Sequence, residues 1–247
     1  MEKAAAAEKV CMLAGKMMLE SGAETHRVED TMNRIAAAAG LENAQSYATP
    51  TGINFSIGAA ELSNFMRITK RSMDLHKIAE VNTISRKIVA NEITISEAHS
   101  MLNRVDRKWP TFPPWMQIVA AGFVSGSFTI MFGGAWADFI PAMLAGGAGY
   151  AGMLGFDRFF ELRFLAEFFG GFLIGLFAVI FVTIGFGLNL DQMITGAVMP
   201  LVPGMHITNA IRDLLAGHLV AGVSKGVEAM LTAFAIGAGV AVVVGFV

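Results

Sequence analysis

Four apolar runs in the second half of the chain are each long enough to cross a membrane as a helix. A hydrocarbon core about 30 Å thick requires about 20 helical residues. Residues 115–247 contain only four Lys/Arg and seven Asp/Glu, whereas residues 1–114 contain fourteen and thirteen. The sequence therefore predicts a membrane region that follows a region of soluble composition. The four runs are residues 115–135, 136–156, 164–187 and 229–247.

A fifth apolar run, residues 190–211, is interrupted by two prolines and a glycine. Proline removes a backbone donor, and a broken helix is tolerated in lipid only where protein or a water-filled cavity surrounds it. Such breaks form ligand sites in secondary transporters, although a structural kink is the alternative interpretation. Polar residues follow the break directly. The candidate substrate pathway consists of Pro200, Pro203, Gly204, Asn209, Arg212 and Asp213.

The positions of the basic residues predict the topology, because Lys and Arg concentrate in cytoplasmic loops. If the broken run crosses the membrane, every basic residue of the connections falls on one side. We therefore expect five transmembrane helices, with the N-terminus cytoplasmic and the C-terminus outside. The first 15 residues lack a basic segment followed by an unbroken apolar one, so we expect no cleavable signal peptide. The basic residues are Arg104, Arg107, Lys108, Arg158, Arg163, Arg212 and Lys225.

Acidic residues lie in or beside the apolar runs, where an ionisable group is a functional candidate by default. Glu167 lies about one turn into its run and is the first candidate for carrying a coupling proton; interfacial snorkelling is the alternative. Asp138 lies near the outer end of its run. Glu228 follows Lys225 by three residues, a spacing that favours a structural ion pair. All three acids are candidates for proton coupling.

Glycine pairs at a spacing of four residues recur in the apolar runs. Gly122 with Gly126 and Gly171 with Gly175 have the spacing that lets membrane helices approach closely. We interpret these pairs as helix-packing positions.

The first part of the chain alternates between helical and extended patterns. Apolar residues at helical spacing and a Ser-Gly break predict two helices, and Ile53, Phe55 and Ile57 alternate as in a strand. We expect an N-terminal cytosolic α+β domain over residues 1–112 and a membrane domain over residues 113–247. Ser96 is the predicted N-cap of the last helix of the first domain. The predicted elements are helices at 3–20, 24–40, 74–90 and 96–108 and strands within 46–59 and 62–70.

The sequence gives little support to an enzyme. A threonine nucleophile such as Thr25 or Thr49 needs a nearby base; His26 could supply one, but no spacing requires it. HExxH, CxxC and Gly-rich phosphate-loop motifs are missing from the sequence. We expect no catalytic residues, metal or cofactor. The net charge of −2 argues against nucleic-acid binding, and a single cysteine, Cys11, allows no intrachain disulfide.

Five segments together resemble the threonine/serine exporter (ThrE) family along nearly the whole chain. They are SGAETHRVEDTM from residue 21, YATPT at 47–51, VNTISRKI at 81–88, FGGAWAD at 132–138 and LVPGMHITNAIRDLLAG at 201–217. The chain is most similar to the shorter, split form, in which a YjjP-like subunit works with a smaller YjjB-like membrane subunit. The resemblance implies a bacterial inner-membrane exporter, a second subunit and a higher oligomer.

The resemblance also marks individual positions as important. His218 and Lys225 depart from the family pattern, where we expect an acid and an arginine, so the choice between amino-acid and dicarboxylate substrates stays open. The cytosolic-domain motif comprises Glu24, Thr25, Arg27, Glu29, Thr49 and Pro50. Other marked positions are Gly22, Gly133, Gly134, Asp138, Pro203, Gly204, Asn209, Arg212, Asp213 and Glu228.

The leading hypothesis is a subunit of a proton-coupled exporter of small carboxylate metabolites, either threonine/serine-type amino acids or succinate-type dicarboxylates. One alternative is a membrane-anchored protein that senses a metabolite or regulates a partner. A second alternative is a cytosolic hydrolase domain on a membrane anchor. Broken spans and buried acids favour the first hypothesis, because a plain anchor needs neither.

Overall fold

The computed structural model describes residues 2–58, 63–108 and 112–246, which form two compact units. The first unit contains Met1–Pro110 and Met205–Gly226, and the second contains Thr111–Gly204 and Val227–Val247. The division into domains at residue 112 stays a prediction. The first unit differs from that division because it includes residues 205–226.

Helices dominate both units, and one small sheet lies in the first. The predicted strand limits at residues 59 and 62 and the predicted helix end at residue 247 fall outside the described residues. The helices are α1 (Glu2–Glu20), α2 (Thr25–Ala38), α3 (Leu75–Val89), α4 (Ile95–Lys108), α5 (Pro114–Met131), α6 (Phe139–Phe160), α7 (Arg163–Thr183), α8 (Leu190–Ala197), α9 (Gly204–Leu215) and α10 (Leu219–Val244). The strands are β1 (Gln45–Thr49), β2 (Gly52–Ser56) and β3 (Asn64–Arg67).

The core of the first unit is formed by the apolar faces of α1 to α4 and one face of the sheet. The stripe predicted for α1 is confirmed, because Val10, Met17 and Met18 are fully buried or nearly so. They pack with residues such as Met32 of α2 and Phe55 of β2. The break between α1 and α2 is also confirmed. Gly22 there has a φ of +80°, a conformation that favours glycine.

The sheet corrects the prediction of one strand over residues 46–59. The chain instead forms an antiparallel hairpin, in which Thr49 of β1 pairs with Gly52 of β2. Pro50 lies in the turn, where its fixed φ suits a reversal and its missing N–H costs no strand hydrogen bond. The second predicted strand is confirmed as β3, which pairs antiparallel with β2.

The predicted N-cap of α4 at Ser96 is wrong, because the cap is Thr94. The Thr94 hydroxyl accepts a hydrogen bond from the Glu97 N–H at 3.2 Å, and the Glu97 carboxylate accepts one from the Thr94 N–H at 2.7 Å. This reciprocal pair is a capping box. The helix therefore begins at Ile95, one residue before Ser96.

Three helical segments of the described residues are long and apolar enough to cross a membrane. They are Trp136–Phe160, Arg163–Thr183 and Leu219–Val244, and they correspond to three of the predicted runs. The protein is therefore multi-pass by length and composition. Helix α5 occupies most of the first predicted run, but it is not among the three segments that are long and apolar enough to cross a membrane. The count of five spans and the cytoplasmic N-terminus stay predictions.

The glycine pairs lie at close helix contacts in the second unit, as predicted. A Cβ atom added to Gly122 of α5 would lie 2.9 Å from the carbonyl oxygen of Met143 on α6. A Cβ added to Gly171 of α7 would lie 2.4 Å from the carbonyl oxygen of Ile236 on α10. Any side chain at either position would push the two helices apart, so these glycines set the helix spacing.

The fifth predicted run is broken at the predicted place. Helix α8 ends at Ala197, a single 3₁₀ turn covers Met199–Leu201, and α9 begins at Gly204. At 1.5 Å per residue the eight residues of α8 span about 12 Å and the twelve of α9 about 18 Å, less than the hydrocarbon thickness. The Ser125 hydroxyl of α5 lies 3.3 Å from the carbonyl oxygen of Ala197 at the buried end of α8, and it makes a shorter hydrogen bond, 2.8 Å, to Ala121 of its own helix.

Candidate functional site

A buried carboxylate in the first unit joins the start of α2 to α9. Asp213 has no exposed surface, and its two oxygens accept hydrogen bonds from the Thr25 N–H at 2.8 Å and the Thr25 hydroxyl at 3.0 Å. The N-terminus of α2 favours a negative charge at this position. Asp213 is thus held by the backbone N–H and the hydroxyl of Thr25 and by the N-terminal end of α2.

Lys225, from the first part of α10, completes this cluster. Its ammonium group donates to Asp213 at 2.7 Å, to the Ala23 carbonyl oxygen at 3.1 Å and to the Thr25 hydroxyl oxygen at 3.2 Å. A lysine ammonium has three N–H donors, so all three are used. The buried charge pair is therefore fully hydrogen-bonded, as burial of two ions requires.

Glu24 precedes α2 and is shared by two arginines. Arg27 donates to its carboxylate at 3.2 Å, and Arg212 of α9 donates to the other oxygen. Burial raises the pKa of the Glu24 carboxyl, but hydrogen bonds and charge from Arg212 and Arg27 outweigh this effect, so the pKa lies below its usual 4.5. The Arg212 side chain remains 59% exposed, so its guanidinium is accessible while it binds Glu24.

Asn209, a third polar residue of α9, contacts the turn before α2. Its side-chain amide donates to the Gly22 carbonyl oxygen at 2.8 Å. Asn209 and Asp213 are separated by four residues and therefore lie on one face of α9. Both are buried. Several side chains on this face of α9 therefore connect the TNAIRD segment to the GAET segment within the first unit.

Two histidines border the cluster. His26 Nδ1 lies 3.7 Å from Asp213 Oδ1, and His218 Nδ1 lies 3.7 Å from Glu29 Oε1. Glu29 also accepts a hydrogen bond from the Ala48 N–H of β1 at 2.7 Å. His218, which departs from the family pattern, therefore contacts a motif acid and can supply a positive charge when protonated.

The second unit contains a separate group of charges at the start of α7. Arg163 donates to Glu167 at 3.1 Å and to Glu228 of α10 at 3.0 Å. Glu167 is 6% exposed, and its Oε2 atom is buried with no hydrogen-bond partner among the described residues. One guanidinium therefore binds two carboxylates, and one oxygen of the buried carboxylate accepts no hydrogen bond from a described residue.

Asp138 is bound quite differently. It is fully buried and accepts hydrogen bonds from the N–H groups of Ala135, Leu188 and Asn189 at 3.0, 2.6 and 3.2 Å. The side-chain amide of Asn189 adds a fourth at 2.8 Å. Each of its two oxygens accepts two of these four hydrogen bonds. Asp138 thereby fixes the start of α6 to the connection between α7 and α8.

The predicted site residues thus divide among several locations. Glu24, Thr25, Asn209, Arg212 and Asp213 meet in the first unit, whereas the acids proposed for proton coupling lie in the second. Other predicted residues have local roles in the structure. Thr49 donates to the Gly52 carbonyl oxygen within the hairpin at 3.2 Å, Pro50 lies in its turn, and Pro200 and Pro203 lie at the helix break.

Sequence reasoning missed several partners in these clusters. The i,i+4 spacing of Arg163 and Glu167 was a usable signal, but nothing in the sequence linked Arg163 to Glu228. Lys225 contacts Asp213 in the structure, whereas the sequence suggested a pair with Glu228. Asn189 showed no sequence signal for its contact with Asp138, because 51 residues separate them.

Comparison with known proteins gives matches along nearly the whole chain. Residues 9–247 match the family model described as "Putative threonine/serine exporter". The chain is 23% identical to the "Probable succinate transporter subunit YjjP" of Klebsiella aerogenes, over 93% of this chain and 90% of that protein. The corresponding protein of Escherichia coli K12 is also 23% identical, over 97% and 94%. No solved structure matches the chain significantly.

A fungal relative shows that the same region occurs within a longer protein. The "Pheromone-regulated membrane protein 10" of Pichia sorbitophila is 24% identical over 94% of this chain, but the chain spans about a quarter of that protein's length. The family model covers all but the first eight residues of the chain. Together with the apolar helices and the joined motif segments, this match shows that the chain is a multi-pass membrane protein that belongs to the threonine/serine exporter family.

Proposed function

We propose that the chain is one subunit of a bacterial inner-membrane secondary exporter of small carboxylate metabolites. Threonine and serine appear in the family description and succinate in the names of two relatives, and all three bear a carboxylate. The observation that carries the proposal is the exposed guanidinium of Arg212, which already holds a carboxylate, that of Glu24. The word "subunit" in the relatives' names supports a second, smaller YjjB-like membrane subunit.

In the proposed mechanism a substrate carboxylate replaces Glu24 on Arg212. Arginine binds carboxylates through paired N–H groups, and Arg27 retains Glu24 when Arg212 releases it. This exchange never leaves the buried carboxylate of Glu24 without a cation, which would be costly. The break at Pro200, Pro203 and Gly204 would supply further backbone donors and acceptors along the path.

We propose that the coupling proton is carried by Glu167. With both carboxylates ionised, the group of Glu167, Glu228 and Arg163 has a net charge of −1, and one proton makes it neutral. Within this group, Glu167 Oε2 is a buried acceptor without a hydrogen-bond partner among the described residues. Asp138 is a poorer carrier, because four donors hold its ionised form.

The decisive experiment is substrate flux in proteoliposomes that contain this chain with and without a co-expressed YjjB-like partner. Threonine, serine or succinate is loaded inside, and a pH gradient is imposed. We expect gradient-driven efflux of at least one substrate only when both chains are present. Absence of flux with both chains folded and inserted would overturn the proposal.

Two variants connect the flux to the proposed path. Arg212→Ala and Pro203→Ala should abolish efflux while the protein remains in the membrane, because one removes the carboxylate ligand and the other restores a backbone donor at the break. Arg104→Ala, which removes an exposed arginine of α4, is the matched control and should leave efflux unchanged. Normal efflux from both test variants would contradict the proposed path.

A metabolite sensor or regulator on a membrane anchor is the second candidate. The shared carboxylate of Glu24 would also suit a sensor, but a plain anchor does not need the buried charges of the second unit. A hydrolase is less favoured, because the Thr25 side chain is fully buried and its hydroxyl contacts Asp213 and Lys225. Tight metabolite binding without flux would favour the sensor.

A further inference from the structure

The VNTISRKI segment has no part in the proposed transport mechanism, yet it lines a cavity in the first unit. Asn82, Ser85 and Arg86 of α3 face a polar cavity of about 200 Å³ that lies against α2. A water molecule occupies about 30 Å³ of liquid volume, so the cavity can hold a small organic ion. From α2 the cavity is lined by Arg27, Asp30, Thr31 and Arg34.

The spacing of these residues explains why they share the cavity. Ser85 and Arg86 follow Asn82 by three and four residues, so all three lie on one face of α3. The lining residues of α2 also follow helical spacing. Except for Arg34, the lining residues belong to two of the segments that carry the family resemblance, SGAETHRVEDTM from residue 21 and VNTISRKI at 81–88.

Several polar groups in this cavity are unused within the described part of the chain. The side chains of Thr31, Asn82 and Ser85 make no hydrogen bond to another described residue, although Thr31 and Ser85 are only 5% exposed. Their hydroxyl oxygens are not fully buried, so they remain accessible to a ligand in the cavity. A ligand that accepts hydrogen bonds would satisfy them.

The charge around the cavity is positive. Arg34 pairs with Asp30 at 3.0 Å, but Arg86 has no ion-pair partner among residues 2–58, 63–108 and 112–246. Arg27 shares the carboxylate of Glu24 with Arg212, so one negative charge is paired with two guanidinium groups. The lining of the cavity itself contains three arginines and one carboxylate, that of Asp30, an excess of two positive charges. Arginine forks are well suited to carboxylate and phosphate oxygens.

We propose that the cavity between α2 and α3 is a binding site for a small dianion that carries carboxylate or phosphate groups. Arg86 and Arg27 bind its charged oxygens, and Ser85, Thr31 and Asn82 donate hydrogen bonds to it. Apart from Arg27, which also binds Glu24, the residues of this site lie outside the proposed transport path. The site gives the first unit a means of responding to the concentration of a metabolite. Zwitterions such as threonine, with no net charge, do not satisfy it.

The test is isothermal titration calorimetry on the full chain in nanodiscs, in a buffer of low ionic strength. Succinate, inorganic phosphate and threonine are titrated separately. We expect saturable binding of succinate, phosphate or both at one site per chain, and none of threonine there. Binding of succinate alone identifies a dicarboxylate site, and binding of phosphate alone identifies a phosphate site. Absence of binding by both dianions overturns the proposal.

Three variants locate the binding. Arg86→Gln should weaken it about tenfold or more, because a charge-assisted hydrogen bond is lost, and Ser85→Ala should weaken it less. Lys87→Gln removes the same charge from the next position of α3, which does not line the cavity, and should have little effect. Equal weakening by Lys87→Gln and Arg86→Gln would overturn the proposal, because it would indicate unspecific charge attraction.

Binding in the Arg212→Ala variant separates this site from the transport path. We expect the dianion to bind this variant with an affinity within a few fold of the unchanged chain. Loss of binding in Arg212→Ala, with retention in Arg86→Gln, would place the ion on the transport path and overturn the inference. The measurement does not require flux, so failure of the transport proposal would leave this result interpretable.

Discussion

At the scale of single residues, Asp213 is the position where a small change should have the largest structural effect. Asp213→Asn removes the charge that balances the buried ammonium of Lys225. Breaking a buried ion pair from one side costs about 3–5 kcal/mol. For a chain of this size that corresponds to a decrease of roughly 10 °C in the unfolding midpoint. Thermal unfolding in detergent measures the change.

Two further variants show whether the loss comes from the unpaired lysine. Asp106→Asn removes an exposed acid whose contact with Lys77 is 3.8 Å, and it should cost about 0–1 kcal/mol. The double variant Asp213→Asn with Lys225→Gln removes both buried charges and should be more stable than Asp213→Asn alone. Additive losses in the double variant would contradict this account of the cluster.

Glu24 gives the first unit a stability that depends on pH. Its folded-state pKa is below 4.5, with burial opposed by the stronger influence of Arg212 and Arg27. The unfolded chain therefore binds a proton more readily, and the stabilisation is present above about pH 4.5 and is lost as the pH falls through the lower folded-state pKa. The stability difference between the unchanged chain and Glu24→Gln should be present at pH 7 and shrink below pH 4.5.

The matched control for this pH dependence is Glu42→Gln, which changes an exposed acid of the same unit. Unfolding midpoints of all three proteins are measured from pH 7 downward. A Glu24→Gln effect that grows as the pH falls would have the wrong sign and would rule out this role for the two arginines.

At the scale of elements, the contact between α7 and α10 depends on the absence of a side chain at Gly171. Its Cβ would lie 2.4 Å from a backbone oxygen of α10, which cannot move like a flexible side chain. Gly171→Ala should therefore destabilise the second unit by about 1–3 kcal/mol. Gly155→Ala on α6 is the control, because no atom lies within 4 Å of its added Cβ.

The control should be neutral or stabilising, since alanine is favoured over glycine in a helix by about 0.5–1 kcal/mol. Unfolding midpoints in detergent compare the two variants. Equal effects of Gly155→Ala and Gly171→Ala would show that helix propensity, rather than the contact with Ile236, determines the result.

The elements also show where sequence patterns suffice and where they fail. Apolar periodicity predicts α1, because its burial follows a regular spacing, and the length of the apolar runs predicts α6, α7 and α10. The alternation of Ile53, Phe55 and Ile57 predicts β2 but gives no signal for β1, which pairs with it across the turn at Pro50. The cap of α4 was misplaced by two residues, since Thr94, Ser96 and Glu97 allow several local hydrogen-bonding patterns.

The candidate site was predictable only in part for a physical reason. Residues such as Glu24 and Arg27 are close in sequence, so their contact follows from helical spacing. The contact between Thr25 and Asp213 joins positions 188 residues apart, and no periodicity encodes such a pair. The resemblance to a family marked both segments but gave no indication that they bind each other.

At the scale of the whole molecule, the proposed export requires the proposed substrate site and the proposed proton carrier to act together. Glu167→Gln removes the proposed proton carrier and leaves Arg212 unchanged. A neutral Gln resembles protonated Glu, so the variant should retain exchange of labelled substrate across the liposome membrane. Efflux driven by a pH gradient should fall to the level seen without a gradient.

Glu161→Gln is the matched control, because it neutralises an exposed acid just before α7 and should leave both kinds of flux unchanged. Measuring exchange and gradient-driven efflux in the same liposome preparation separates coupling from binding. If Glu167→Gln retains gradient-driven efflux, Glu167 does not carry the proton. If it loses exchange as well, Glu167 is needed for the structure or for substrate passage, because a defect in coupling alone leaves exchange intact.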